Sequence, residues 1–229
     1  MGTKQEAFLP YGKQTIDDED VRAVVEVLTS DWLTTGPTID RFEKAIAEFT
    51  KASHGIAISN GTAALHAMIH ASKIGPGDEV LVPAITFAAT SNSVLYQGAK
   101  PVFVDVNPDT LLIDVKDAEK KITSKTKGII AVDYAGQPCD YDALRALSQK
   151  YKLVLMSDAC HSIGAHYKNK SIGELADMTA LSFHPVKHIT TGEGGMVLTS
   201  NQDFADRLRC FRNHGITTDP RQRTQEGKF

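Results

Sequence analysis

The stretch Thr179-Ala180-Leu181-Ser182-Phe183-His184-Pro185-Val186-Lys187-His188-Ile189-Thr190-Thr191-Gly192-Glu193-Gly194-Gly195-Met196-Val197-Leu198-Thr199 decides how the rest of the chain is read. A β-prone run over 178–183 halts at His184-Pro185, and a second, over 195–199, follows a glycine-rich turn. Apolar, β-branched segments separated by proline and glycine predict two strands joined by a constrained connection. Lys187 falls inside that connection, at the lip of a sheet. A lysine held there, partly out of water, is a candidate for Schiff-base chemistry, because only a neutral amine attacks a carbonyl. A solvated loop lysine is the alternative, and a lysine taken singly is usually that. The two strands are joined too tightly for a crossover helix, so one of them is expected to run antiparallel to its neighbours.

Outward from that stretch, strands and helices alternate. Strands are expected over 56–59, 79–83, 101–106, 127–133 and 153–157, helices over 63–74, 115–124 and 141–150, and a connecting segment over 87–96. The strand segments are continuous apolar runs, as in strands covered on both faces. The fold class is therefore α/β, a mostly parallel seven-stranded sheet between helices. A helix over 203–213 and a polar tail to Phe229 close the chain. Ahead of the sheet, Val21, Val24, Val25 and Leu28 mark one face of a helix over 17–29, with Thr15 or Asp17 as its cap. Ile39, Phe42, Ile46 and Phe49 mark a second helix that starts near Pro37. Residues 1–53 thus read as a polar arm and two helices in front of a main domain that occupies 54–229.

Composition narrows the function classes. The 229 residues are 41% apolar and 23% charged, an ordinary globular balance with chain enough for one sizeable core. A formal net charge of −3 gives no reason to expect nucleic acid as a partner. No apolar run is long enough to span a bilayer and no signal-peptide pattern opens the chain, so no membrane partner is expected and the cytoplasm is the expected location. Cys139, Cys160 and Cys210 are widely spaced, odd in number and without a CxxC pair. Reduced thiols are expected, with neither a disulfide framework nor a metal site.

Ligands of open α/β sheets gather at the carboxyl ends of the strands, and four groups of residues fall there. Asn60-Gly61-Thr62 follows a strand and opens a helix, so its N–H groups and the helix dipole suit a phosphate, although the same residues make an ordinary turn and cap. Phe87 lies just past the strand 79–83 and is either a flat surface for a planar cofactor or a core residue. Asp158 ends the strand 153–157 with His161 three residues on, and it reads as a helix cap or as the partner of a buried cation. Ser182, Lys187 and the turn 192–195 complete the set. Together they meet the needs of pyridoxal phosphate: a phosphate cradle, a ring stacker, a carboxylate that keeps the pyridine nitrogen protonated, and a Schiff-base lysine. No GxGxxG follows the first strand, which disfavours a nicotinamide-dependent sugar enzyme on a dinucleotide-binding fold.

Four motifs carry a family resemblance: Ser59-Asn60-Gly61-Thr62-Ala63-Ala64-Leu65, Pro83-Ala84-Ile85-Thr86-Phe87, Asp158-Ala159-Cys160-His161-Ser162 and Ser182-Phe183-His184-Pro185-Val186-Lys187. In order and spacing they resemble the DegT/StrS-type sugar-nucleotide aminotransferases, pyridoxal-phosphate enzymes of fold type I. Trp32-Leu33-Thr34-Thr35-Gly36-Pro37, taken with the lysine motif, most resembles the subgroup that aminates C4 of a UDP-linked 4-keto-6-deoxy-N-acetylhexosamine in the pseudaminic acid pathway. The resemblance implies a cytoplasmic homodimer with sites between subunits, glutamate as amino donor and pyridoxal 5′-phosphate as cofactor. It implies that Lys187 is the Schiff-base lysine and moves the proton, and that Asp158 pairs with the pyridine nitrogen. Phe87 would stack on the ring, with Gly61, Thr62, Ala63 and Ser182 on the phosphate. His161 would sit near the cofactor's O3′, where many relatives carry glutamine, and Thr34, Thr35 and Gly36 near the incoming donor or sugar. Family members run well beyond residue 229, into a small C-terminal domain. A non-catalytic module that binds cofactor or sugar nucleotide is the alternative expectation for this chain. A related dehydratase would carry histidine in place of Lys187.

Overall fold

The computed structural model describes Pro10 and residues 12–216. The tail expected up to Phe229 and the first part of the polar arm lie outside the described residues. Helix α1 (Asp18–Thr29) starts at a capping box in which Asp17 accepts from the N–H of Glu19 and Asp20 while the Asp20 side chain accepts from the N–H of Asp17. Helix α2 (Pro37–Thr50) starts at a proline whose missing N–H costs nothing at a first turn. Then follow β1 (His54–Ile58), α3 (Gly61–Ala71), β2 (Glu79–Pro83), α4 (Ala88–Tyr96), β3 (Lys100–Val104) and α5 (Val115–Lys120). β4 (Thr126–Val132), α6 (Tyr141–Tyr151), β5 (Val154–Asp158), the two-residue strands β6 (His166–Tyr167) and β7 (Lys170–Ser171), β8 (Met178–Ser182), β9 (Gly195–Thr199) and α7 (Gln202–Arg212) complete the described chain.

One seven-stranded sheet has the order β1-β9-β8-β5-β4-β2-β3. All neighbouring pairs are parallel except those of β9, which runs against both β8 and β1. The strand expected to be reversed is thus β9, and the connection through Lys187 is what reverses it.

The continuous apolar runs feed two cores, one on each face. Leu81, Ile129, Leu155, Leu181 and Leu198 pack on one side, and their chain neighbours Val80, Ile130, Met156, Ala180 and Val197 on the other. α2 joins the first core through Ile46 and through Phe42, whose ring meets Phe183 edge-on at 5.1 Å between centroids. α1 buries none of its residues. The β6–β7 hairpin is not among the expected elements, because two-residue strands are too short to leave a periodic pattern.

Candidate active site

β2, β5 and β8 end at Pro83, Asp158 and Ser182, β4 hands over to Asp133, and β1 hands over to Asn60. Where these ends converge, a cavity of about 730 Å³ opens. Gly61, Thr62, Phe87, Asp158, His161, Ser182 and Lys187 all line it. A smaller cavity of about 240 Å³ shares Tyr134, His161, Val186 and Lys187 with it and adds Ala135 and His188. Seven of the expected site residues, drawn from distant parts of the sequence, are therefore on one wall system.

The cradle at the start of α3 is set by backbone contact. Asn60 caps the helix, and its Oδ1 accepts the N–H of Ala63 at 2.8 Å. Ala63 is thereby committed to the cap and does not line the cavity, so the free donors of this turn are the N–H groups of Gly61 and Thr62 and the Thr62 hydroxyl. β9 runs so close that a Cβ on Gly195 would stand 2.5 Å from the carbonyl carbon of Asn60. A Cβ on Gly61 would stand 2.9 Å from the Ser182 Cβ. These approaches bring the Ser182 hydroxyl beside a helix N-terminus, a donor set suited to a phosphate.

Asp158 is buried at the end of β5, and its carboxylate is oriented rather than free. Oδ2 accepts the Thr90 hydroxyl at 2.8 Å, and Thr90 is linked in turn to the Thr86 hydroxyl at 2.7 Å. Oδ1 accepts the N–H of Cys160 at 3.3 Å. A buried carboxylate facing a cavity favours a cationic partner there. His161, half-buried, has its pKa held below the usual histidine value by burial first and then by the charge of Lys187, with Asp158 pulling the other way. Its imidazole is therefore neutral near pH 7. Burial also pushes the Cys160 thiol well up, which makes it a packing group rather than a nucleophile.

Lys187 follows a tight turn in which its N–H donates to the carbonyl of His184 at 2.8 Å. Phe87 caps α4 and remains 76% exposed on the cavity wall, with no aromatic ring stacked on it among the described residues. Thr34, Thr35 and Gly36 stand in the exposed turn between α1 and α2 and are not among the residues that line either cavity. Thr90, which bonds Asp158, Tyr134, which lines both cavities, and Asp133, which lies beneath them without lining either, are neighbours that the sequence reading passes over. A threonine inside a helix leaves no signal, but Asp133 ends an apolar run as Asp158 does, and that was visible. The set present fits pyridoxal 5′-phosphate: N–H and hydroxyl donors for the phosphate, a buried carboxylate for the ring nitrogen, an amine in the same cavity and an uncovered aromatic face.

An α/β sheet with an amine, a carboxylate and a phosphate-type cradle at its carboxyl edge is the kind of site that suits a phosphate-bearing cofactor with an aldehyde group. Residues 14–228 match the DegT/DnrJ/EryC1/StrS aminotransferase family, and the chain belongs to that family. It is 41% identical to the spore coat polysaccharide biosynthesis protein SpsC of Bacillus subtilis, covering 95% of this chain and 56% of SpsC. A putative sugar aminotransferase from Streptococcus pneumoniae, in its PLP form, superposes with a TM-score of 0.88 at 34% identity, covering 92% of this chain and 59% of that one. The Helicobacter pylori aminotransferase PseC, involved in the biosynthesis of pseudoaminic acid, superposes with a TM-score of 0.86, also at 34% identity, covering 92% of this chain and 57% of PseC. The chain spans a little over half the length of these relatives.

Proposed function

We propose that this chain carries the cofactor site of a pyridoxal-phosphate-dependent aminotransferase that moves an amino group from glutamate to C4 of a UDP-linked 4-keto-6-deoxy-N-acetylhexosamine. The observation that carries this reading is the meeting of Lys187, Asp158 and the Gly61–Thr62–Ser182 cradle in one cavity. The choice of sugar leans on the motif resemblance and on the likeness to the Helicobacter pylori protein, which is no greater in identity than the likeness to the streptococcal one.

Bound pyridoxal phosphate supplies an electron sink for the carbon from which a proton leaves. The chain's own residues do the rest. The N–H groups of Gly61 and Thr62, with the hydroxyls of Thr62 and Ser182, anchor the phosphate at the positive end of α3. Asp158, held in orientation by Thr90, keeps the ring nitrogen protonated. Phe87 would offer its flat face to the ring, and His161 would offer a hydrogen bond near the ring's oxygen. Lys187 Nζ would bind the cofactor's aldehyde and would serve as the group that holds and moves the proton at the reacting substrate carbon. Thr34, Thr35 and Gly36 belong to the proposal as the approach of donor or sugar. A second copy of the chain, completing a homodimer, is proposed to cover the exposed Phe87 side.

The test is glutamate turnover. With pyridoxal phosphate added, the chain is expected to release 2-oxoglutarate from glutamate and to aminate the UDP-4-keto sugar, followed by mass spectrometry. Lys187→Ala is expected to keep cofactor binding and lose transamination. Full activity in that variant would remove Lys187 from its role.

A further inference from the structure

Beneath the cavity lies a buried carboxylate for which the proposed chemistry has no use. Asp133, the residue after β4, is fully shielded from solvent. Its Oδ1 accepts the N–H of Cys139 at 3.1 Å and the Tyr141 hydroxyl at 2.9 Å, and its Oδ2 accepts the Ser162 hydroxyl at 2.9 Å. Those three donors are uncharged. The Tyr141 hydroxyl also lies 2.6 Å from the hydroxyl of Ser157, the residue before Asp158.

These contacts converge on two loops. One bond, from Cys139, closes the loop 133–139 on itself, and Tyr134 and Ala135 of that loop line the smaller cavity. The other loop, 158–162, is gripped at both ends by the same residue. The N–H of Asp133 donates to the carbonyl of Asp158 at 3.1 Å, while its carboxylate takes the hydroxyl of Ser162. The loops also touch midway: a Cβ on Gly136 would stand 2.9 Å from the His161 carbonyl oxygen, and Gly136 sits at φ +87°. Burying a carboxylate without a cation costs several kcal/mol, and an apolar residue here would leave the Cys139 N–H without its acceptor and take the carboxylate acceptor from the Tyr141 and Ser162 hydroxyls. A network this costly, joined to the two loops that carry Tyr134, Asp158 and His161 to the cavities, acts through what it holds.

We propose that Asp133 is a positioning residue whose carboxylate knots loops 133–139 and 158–162 together and so fixes where Asp158 and His161 stand in the cavity. What the two residues are positioned for rests on the cofactor reading above. The knot itself does not.

The test compares the 229-residue chain with its Asp133→Asn and Ser162→Ala variants by two readouts. The first is amide hydrogen exchange without cofactor. Exchange over 159–162 is expected to quicken about tenfold or more in both variants, the scale of one lost hydrogen bond, with Leu155 and Met156 of β5 unchanged. The second is the ring-nitrogen resonance of ¹⁵N-labelled pyridoxal phosphate, which is expected to move toward the unprotonated position as Asp158 loses its alignment. Unchanged exchange over 159–162 in both variants would overturn the proposal. So would exchange that quickens equally through β4, β5 and α6, since that is general loosening. If Asp133→Asn does not fold, Ser162→Ala carries the test alone. If the unmutated chain takes up no pyridoxal phosphate, the functional reading fails, and exchange still decides the knot.

Discussion

Asp133 and Asp158 both end buried apolar strands, yet their surroundings give them different work. Asp158 opens onto a cavity, where a cationic ring nitrogen can meet it. Asp133 is enclosed, and burial raises its pKa from 3.8 to about 6, with the charge of Asp158 pushing the same way and the donors Cys139, Ser162 and Tyr141 pulling back. Burial also pushes the Cys139 thiol and the Tyr141 hydroxyl well up, so both stay neutral while Asp133 titrates. A raised carboxylate means that the folded chain binds the proton more tightly than the unfolded one. Its contribution is fully present below the unfolded value and is lost as pH rises through about 6. The loss is of order 3 kcal/mol, from about two pH units at 1.36 kcal/mol each. Urea unfolding of the chain between pH 4 and pH 7 is expected to show that fall, and Asp133→Asn to lack it; equal slopes would contradict the raised pKa. Lys187, Asp158 and the Asn60–Thr62 turn stand out in the sequence because each ends or follows an apolar strand, and the structure brings them to one cavity. Ala63, also expected at the phosphate, donates its N–H to Asn60 Oδ1 and is not among the cavity-lining residues, a choice between cap and ligand that sequence leaves open.

Most elements were legible, since caps and periodicity are local. Asp17, Asn60, Asp114, Asp140 and Asn201 each cap a helix with the side-chain oxygen. Ends shifted by a few residues: α3 starts at Gly61 because its cap is Asn60, and α5 stops at Lys120 rather than near Ser124. What periodicity could not give is which faces find partners. The apolar stripes of α1 and α2 read alike, yet Val21, Val24, Val25 and Leu28 of α1 stay exposed while Ile46 of α2 enters the core. Element packing also explains the cradle, through the close pass of β9 over the start of α3. Gly195→Ala is therefore expected to cost about 1–3 kcal/mol, because backbone meets backbone and neither side can give. Gly75→Ala, whose Cβ would meet only the Gln97 carbonyl oxygen at 3.8 Å, is the control and is expected to be near neutral. Equal urea midpoints for the two variants would show that the β9–α3 approach is not tight.

At the scale of the whole molecule, the sheet order does what no motif can. It places β1, β8, β5 and β2 so that residues 61, 87, 158, 182 and 187, spread over more than half of the chain, line one cavity. The alternation of strands and helices predicted such an edge, and the reversed β9 turned the Lys187 connection back across it. Thr34, Thr35 and Gly36 are not among the residues that line either cavity, and their place at the approach to the site belongs to the proposal. Among the described residues no helix is long and apolar enough to cross a membrane. The most direct measurement is borohydride reduction of the chain with pyridoxal phosphate, followed by peptide mass mapping. A pyridoxyl group on Lys187, absent in Lys187→Ala, is the expected result. A reduced adduct spread over other lysines, or none on Lys187 at saturating cofactor, would contradict the assignment of this cavity.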